Sequence, residues 1–517
     1  MLLTHLIRRG AELAGDKTAL VLGDRKTSYG QLRDQVARLA GALLDGGVNS
    51  GDRVAILGLN SDRGIIGFFA AMWAGAIPLF VNNRWSEDEL VAAFDDCGAR
   101  VLLFDEHFSA TSSSLNERCK SLRLLVSLCD SEPGNLPAGC VHVDDLLAKG
   151  RPIDDRCADK MASAFINYTG GTTGMSKGVV HDHMAFSAAM MVCKAEGFFE
   201  TGTTLLVVPL YHISGMICMM SCLVSGETLV IAPAFDPSAI PDMIEQHAIR
   251  QLFMVPTMLR MTLDAPGFDA AKLGSVEGIR YGGSPMELKL LRELTGLLPD
   301  VDFMQVYGQT EGLPITCLHP ADHSPAPSNV VLGSVGRACL GMDLRIVDAE
   351  GRTVPAAGIP GEVSVRGAGV MQGYWDRPEL TRQTLRDGWL MTGDIGYVDD
   401  SGYLFLVDRA RDMIISGGEN VYSTEVEKAI LAHELVTACA VVGLPDRTWG
   451  ERVHAEIVLS APHEKIEDEL DELCREKIAG YKCPKSYSVS DALPLTAVGK
   501  IDKVAIRAKY ETADSSS

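Results

Sequence analysis

Apolar residues recur along this chain in two alternating rhythms, one of helical and one of strand period. In residues 28–47 (SYGQLRDQVARLAGALLDGG) they return every three to four positions, which gathers them on one face of a helix. Ser28 is placed to cap that helix and Gly46-Gly47 to stop it. RVAILGLN (53–60) then reads as a strand. Residues 64–81 carry no charge, but Gly67, Gly75 and Pro78 divide them into a buried helix (IIGFFAAMWAGA) and a strand (IPLFV) rather than a membrane span. SEDELVAAFDDCGA follows as a helix and RVLLFD as a strand. TLLVVPL, ETLVIAP and IRQLFMVP continue as strands, with DPSAIPDMIEQH a helix between the last two. This succession predicts an α/β fold with a largely parallel sheet.

After about residue 340 the texture changes. MDLRIVD, GEVSVRG and GYLFLVDR are short strand patterns joined by glycine-rich turns, which predict a β-rich subdomain. TEVEKAILAH then reads as a helix, ACAVVGLPD and HAEIVLS as strands, and KIEDELDELCREKIA as an amphipathic helix. GYLFLVDR ends in the charged link DRARD, and the boundary is placed there. Residues 1–408 are expected to form a large N-terminal domain of mixed sheets with packed helices, and 409–517 a small mobile α+β domain. The closing ETADSSS is polar, has little to bury and is expected to be disordered.

Composition changes this picture only in part. A chain of 517 residues is too long for a single core, which agrees with two or more domains. Against 47 Lys+Arg stand 68 Asp+Glu, a net charge of -21 that repels polynucleotides and anionic membranes. That argues against a nucleic-acid partner and against stable membrane insertion. The 13 cysteines are scattered without a C-x-x-C pair, which favours free thiols in a reducing cytosol over disulfides or a zinc site. The opening MLLTHLIRRGAELAGDK has no sustained apolar stretch and no small-residue cleavage site, so the expected location is cytoplasmic.

The sharpest chemical feature is YTGGTTGMSKG (168–178), which follows the apolar run ASAFIN. Glycines let successive backbone N–H groups converge on one anion without interference from Cβ. Threonines add hydroxyls that donate or ligate a metal, and Lys177 adds a point charge. A strand feeding such a loop suits a triphosphate. It is not a Walker A loop, because Ser176 stands where that pattern needs glycine before the lysine. Taken alone, the segment is also compatible with an ordinary Gly/Thr-rich turn.

With its companions, the segment resembles the phosphate loop of the adenylate-forming superfamily, which includes acyl-CoA and aryl-CoA synthetases. PLYHISG (209–215) is similar to the family's aromatic-His segment beside the acid, and YGGSPM (281–286) to its adenine loop. VYGQTEG (306–312) resembles the Tyr-Gly-x-Thr-Glu motif and WLMTGD (389–394) the ribose segment. DRARDMIISGGENVYSTEVE (408–427) resembles the hinge with its following loop, and LPLTAVGKIDK (493–503) the C-terminal lysine segment. The wording ENVYSTEVE is closest to fatty-acyl and aryl acid:CoA ligases.

The resemblance implies ATP, Mg²⁺ and coenzyme A as cofactors and co-substrates, and a small-molecule carboxylic acid as substrate. The acid would be activated as acyl-AMP with release of pyrophosphate, then passed to CoA. Thr169, Gly170, Gly171, Thr172, Thr173, Gly174 and Lys177 would cradle the phosphates, and Thr172 and Glu311 would contact the metal. Gly283, Ser284, Tyr307, Gly308, Gln309 and Thr310 would flank the nucleotide. Asp394 would accept hydrogen bonds from the ribose, and Arg409 would reach the nucleotide. His212, Ser214, Gly282 and Gly312 would border the acid. Lys500 would be the catalytic lysine bridging carboxylate and α-phosphate, with Thr172, Glu311 and His212 beside it as catalytic residues. A rotation about Arg411 would withdraw Lys500 and bring Ser416, Gly417 and Gly418 up to the thiol path.

Some readings stay open. His212 is either an edge of the acid pocket or a packed histidine. Met190, Met191, Met216, Met219, Met220, Met254, Met258 and Met261 either line an adaptable acyl pocket or fill core. The family pattern often has Ser where Gly170 stands and Pro where Ser176 stands, which bears on ATP affinity. The acid is expected to be an apolar fatty, aryl or alicyclic monocarboxylate. One alternative is a module that loads a carrier-protein phosphopantetheine arm; a luciferase-like oxygenase and a non-catalytic scaffold of the same fold are more distant. A homodimer is one assembly compatible with the chain.

Overall fold

The computed structural model describes residues 1–517 apart from 131–136, 138, 158, 170–175, 199–200, 324–329, 410–411, 417–418, 447, 496–500 and 515–517. The chain divides into two compact units, residues 1–343 with 365–390, and residues 344–364 with 391–517.

The first unit is built on three sheets. The largest has nine strands, in the order Arg337–Ala338, Leu313–Leu318, Asp302–Gln309, Gly278–Gly282, Gln251–Met254, Thr204–Leu206, Leu229–Ile231, Thr18–Leu22, Arg25–Ser28. Its interior pairings are parallel, as the alternation of strand and helix patterns required, and its edges are antiparallel. A second sheet of five strands, centred on Arg53–Leu57 and Ala99–Phe104, is parallel throughout. A small antiparallel sheet joins Gly373–Tyr374, Lys177–Asp182 and Ser163–Thr169.

Local sequence explains the helices between these strands. Tyr29–Asp45 is capped by Ser28, with Gln31 closing a reciprocal capping box. The uncharged run becomes the buried helix Asp62–Trp73 and the strand Ile77–Phe80. Among the described residues, no helix is long and apolar enough to cross a membrane. Ile213–Ser225 is buried along nearly its whole length, with Met216, Met219 and Met220 inside the same core as Met190. Those four methionines fill core, while Met191 and Met261 are exposed.

In the second unit, the expected short strand Leu404–Arg409 pairs antiparallel with Trp389–Val398. A further sheet orders Glu419–Val421, Ile414–Ser416, Gly450–Leu459 and Val436–Asp446, and Ser486–Val489 pairs with Gly450–Leu459. Helices Ser423–Ile430 and Ile466–Lys477 pack on it through Val426, Ile430 and Leu470. Residues 391–409 therefore lie in the same compact unit as the C-terminal sheet.

The tail departs from expectation over 511–514, while 515–517 lie outside the described residues. The last helix, Lys503–Asp514, runs through the first four residues of ETADSSS. It is anchored by buried Ile506 and by Tyr510, whose hydroxyl donates to Glu456 at 2.7 Å. Strong helix formers and two anchors outweigh the segment's polarity.

Candidate active site

In the first unit the small sheet arranges the chemistry. Ser163–Thr169 and Lys177–Asp182 form a hairpin in which Thr169 is paired with Lys177, and the Thr169 hydroxyl donates to the Lys177 carbonyl at 3.4 Å. The turn between them, with Gly170, Gly171, Thr172, Thr173 and Gly174, lies outside the described residues. Lys177 Nζ stands 5.6 Å from the centre of the Tyr374 ring, a distance at which a cation is attracted to the ring face.

The second hairpin carries Tyr307 to Gly312. Asp302–Gln309 turns back into Leu313–Leu318 so tightly that a Cβ on Gly308 would lie 2.0 Å from the Leu313 carbonyl oxygen. Only glycine fits there. Leu313, which is buried, takes a left-handed φ of 56°, a conformation costing of order 1–3 kcal/mol in a residue with a side chain. Three hydrogen bonds fasten this turn: Met371 N–H to the Glu311 carbonyl at 2.8 Å, His181 Nε2 to the Thr310 carbonyl at 2.8 Å, and the Tyr374 hydroxyl to Glu311 Oε1 at 2.8 Å.

The states of these partners follow from burial. His181 is fully buried between Phe165 and Phe186, and burial pushes its imidazole down to about 4. It is therefore neutral, with the proton on the nitrogen that faces Thr310. Burial, and then the neighbouring Glu311, raise the Tyr374 phenol, which keeps it a donor.

The other expected residues of this unit sit at sheet ends. Gly282 ends its strand in parallel register with Val306, where a Cβ would lie 2.1 Å from the Val306 carbonyl oxygen. Gly283 follows with φ 80°. Together with half-buried Ser284 they follow the carboxyl end of a strand in the parallel part of the sheet, where α/β sheets bind ligands. The 209–215 segment is held by two buried asparagines. Asn167 donates to the Tyr211 carbonyl at 2.9 Å, while Asn60 donates to Val208 and Ala232 carbonyls and accepts from Leu210 N–H.

His212 caps Ile213–Ser225: its Nδ1 accepts from Ser214 N–H at 3.3 Å and stands 2.7 Å from Ser214 Oγ. It thus has a structural duty whatever else it borders. Gly312 lines an apolar cavity with Val192, Pro314, Leu340 and Met342. His212, Ser214 and Gly282 are not among the residues of that cavity wall.

In the second unit Asp394 and Arg409 are directly paired across two strands, with Arg409 Nε 2.8 Å from Asp394 Oδ1. The Asp394 side chain is about 5% exposed. Asp394 N–H donates to Thr392 Oγ1 at 3.1 Å, and Thr392 donates to the Val363 carbonyl at 2.7 Å. Ser416 is buried and pairs with Glu419 in a hairpin whose connecting Gly417 and Gly418 lie outside the described residues, as does Arg411. Lys500 also lies outside them, but Leu495 and Ile501 on either side of its segment form an antiparallel bridge.

Sequence reasoning did not single out Tyr374, His181, Asn60, Asn167, or the buried pair Lys503–Glu427 (Nζ to Oε1, 2.7 Å). Only the last had a local signal, a lysine three residues after Lys500. The rest act on partners far away in the chain.

The model of the AMP-binding enzyme family matches residues 7–375, and that of the AMP-binding enzyme C-terminal domain matches 425–500. Feruloyl-CoA synthase of Amycolatopsis sp is 36% identical over 97% of this chain and 98% of its own. The fatty acid–[acyl-carrier-protein] ligase ScoC of Streptomyces coeruleorubidus is 33% identical over 95% and 93%. The o-succinylbenzoate CoA synthetase of Bacillus subtilis, solved with its acyl-adenylate intermediate, superposes with a TM-score of 0.83 at 29% identity, covering 98% of this chain and 97% of that one.

Proposed function

The chain belongs to the AMP-binding enzyme family, and we propose that it works there as an AMP-forming acid:CoA ligase. In the first half-reaction a carboxylate oxygen attacks the α-phosphorus of ATP, an acyl–phosphate bond forms, and the bond to pyrophosphate breaks. In the second, the CoA thiol loses its proton and attacks the acyl carbon, and AMP leaves.

One observation supports this reading: Lys177 and Glu311 converge on Tyr374, the ammonium 5.6 Å from the ring centre and the carboxylate accepting from the hydroxyl at 2.8 Å. Bringing two anions together demands such oriented charge. Lys177 and the 169–174 turn cradle the leaving phosphates. Gly283, Ser284 and Tyr307 flank adenine, and Asp394, held by Arg409, accepts from the ribose hydroxyls.

The donor set suits Mg²⁺. Glu311 offers a half-exposed hard oxygen, and among the described residues there is no cluster of three His, Cys, Asp or Glu that could cage a metal alone. Mg²⁺ commonly takes one or two protein ligands and fills the rest with phosphate and water. Thr172 and Glu311 would hold it, and when bound it would neutralise charge on the phosphate oxygens.

Residues 409–517 act as a lid turning about Arg411. In one pose Lys500 bridges carboxylate and α-phosphate; in the other Ser416, Gly417 and Gly418 border the thiol path. The acid is an apolar fatty, aryl or alicyclic monocarboxylate, bordered by His212, Ser214, Gly282 and Gly312. All 13 cysteines are free, which suits the reducing cytoplasm.

The relative that loads an acyl carrier protein favours a second reading, in which the acyl group goes to a carrier phosphopantetheine. Mass-spectrometric product analysis with ATP, Mg²⁺ and a panel of fatty, aryl and alicyclic acids, with and without CoA, separates the two. Acyl-CoA and AMP from one acid class support the ligase. Acyl-adenylate that forms but is never passed to CoA supports the carrier reading, and absence of adenylate with every acid defeats both.

A further inference from the structure

The site rests on a carboxylate that nothing in its own turn orients. A glutamate's terminal torsion is broad and roughly two-fold, so Glu311 alone would present its oxygens in many directions. The described structure removes that freedom from outside the turn. Tyr374 lies in the Gly373–Tyr374 strand, paired with Val179 of the strand that begins at Lys177. Its backbone is fixed on both sides: Trp375 N–H donates to the Gly178 carbonyl at 2.7 Å, and Tyr374 N–H to Thr381 Oγ1 at 2.9 Å. From that fixed strand its hydroxyl donates to Glu311 Oε1 at 2.8 Å. Among the described residues Oε2 accepts no hydrogen bond, which leaves it for a cation.

We propose that Tyr374 is a positioning residue for the adenylation half-reaction, holding Glu311 Oε1 so that Oε2 is presented to the metal–ATP complex. This rests on the reading of the site given above. The two hairpins are thereby set by one strand pair: the Lys177–Asp182 strand carries the phosphate-turn lysine, and its neighbour carries the hydroxyl that aims the metal-binding carboxylate. The ring keeps a second relation to the same charges, with Lys177 Nζ 5.6 Å from its centre. A carboxylate tied by a donor gains direction, which is how partners behind a metal ligand raise affinity; losing one typically costs about 10–100-fold in metal binding.

Tyr374→Phe isolates this role, because it keeps the ring, the strand and the approach of Lys177 and removes only the hydroxyl. Mn²⁺ binding is measured by electron paramagnetic resonance, with a non-hydrolysable ATP analogue present, for the full-length wild type, Tyr374→Phe, Glu311→Gln and the double variant. Pyrophosphate exchange is followed as a function of Mg²⁺ in parallel. Tyr374→Phe is expected to weaken Mn²⁺ binding about tenfold and to raise the half-saturating Mg²⁺ by a similar factor, with a smaller fall in the rate at saturating metal. In the Glu311→Gln background the second substitution should add less than twofold. Mn²⁺ binding by Tyr374→Phe within twofold of wild type, or an equal loss in both backgrounds, overturns the proposal. A wild type that binds Mn²⁺ with the analogue yet exchanges no pyrophosphate with any acid defeats the ligase reading instead, and the Mn²⁺ comparison still decides the role of Tyr374.

Discussion

Lys503 and Glu427 form an ion pair with side chains 14% and 15% exposed, and removing the ammonium should destabilise the second unit in a pH-dependent way. Lys503 Nζ also donates to Ser423 Oγ at 2.6 Å, and Glu427 Oε1 also accepts from Val441 N–H at 2.8 Å. Lys503→Met keeps the stem and leaves a buried carboxylate with a backbone donor as its remaining support. Breaking one side of a buried pair costs about 3–5 kcal/mol. Part of that is recoverable, because burial already raises the Glu427 pKa despite the opposing lysine, and without Lys503 the carboxylate can take up a proton. An acid whose folded pKa lies above its unfolded value of about 4.3 is tolerated below that value. The penalty grows as pH rises through the folded pKa. The loss should therefore be small near pH 5 and reach about 3 kcal/mol near pH 8.

A chain with two compact units is not a two-state system, so the assay is local. Hydrogen exchange of the Ser423–Ile430 helix, corrected for the intrinsic effect of pH, reads the opening free energy around the pair. In a Glu427→Gln background, Lys503→Met should cost about 1 kcal/mol or less, since no charge is stranded. A loss equal at pH 5 and pH 8, and equal in both backgrounds, would show that Lys503 contributes packing rather than charge pairing.

Three further outcomes follow from the site. Lys500→Ala should cut adenylate formation about 10²–10³-fold, the scale for loss of one transition-state charge partner, while sparing thioester formation from supplied acyl-adenylate; an equal fall in both steps refutes the two-pose lid. Gly417→Leu should do the reverse, and unchanged kinetics toward CoA in stopped-flow thioester formation remove that loop from the thiol path. Gly308→Ala places a methyl where the Leu313 carbonyl oxygen is 2.0 Å away, so the turn must open. Pyrophosphate exchange should fall steeply with about 1–3 kcal/mol of stability, and full exchange activity would mean the turn tolerates a different path.

How far the sequence foretold this structure depends on the range of the interaction. The helix Tyr29–Asp45 was legible because both its apolar period and its capping partners, Ser28 and Gln31, lie within a few residues. The split of residues 64–81 was legible because glycine and proline act on their own backbone. The nine-strand order was not, since Leu20 pairs with Leu229, and no local pattern names a partner that distant. The last helix was missed for a different reason: its stability comes from Ile506 in the core and from Tyr510 on buried Glu456, whereas its own apolar content is low.

The site divides along the same line. Residues proposed to meet a ligand through a turn's own backbone, such as Gly282, Gly283 and Gly308, leave a compact motif. Residues that hold those turns in place leave none. The Glu311 turn contains a leucine at φ 56°, a conformation that on its own would relax. It persists because Met371, His181 and Tyr374 each donate a hydrogen bond to Thr310 or Glu311, and at about 1 kcal/mol apiece their sum is comparable with the strain. Through Tyr374 the half-exposed Glu311 carboxylate is also fixed in direction. The same balance locates the weak point. Two of the three donors, His181 and Tyr374, belong to the sheet that launches the phosphate turn, so a displacement of the Lys177–Asp182 strand would move the lysine and release the glutamate together. On the proposed roles, phosphate binding and metal binding would be coupled through that strand, and a substitution that loosens it should weaken both at once.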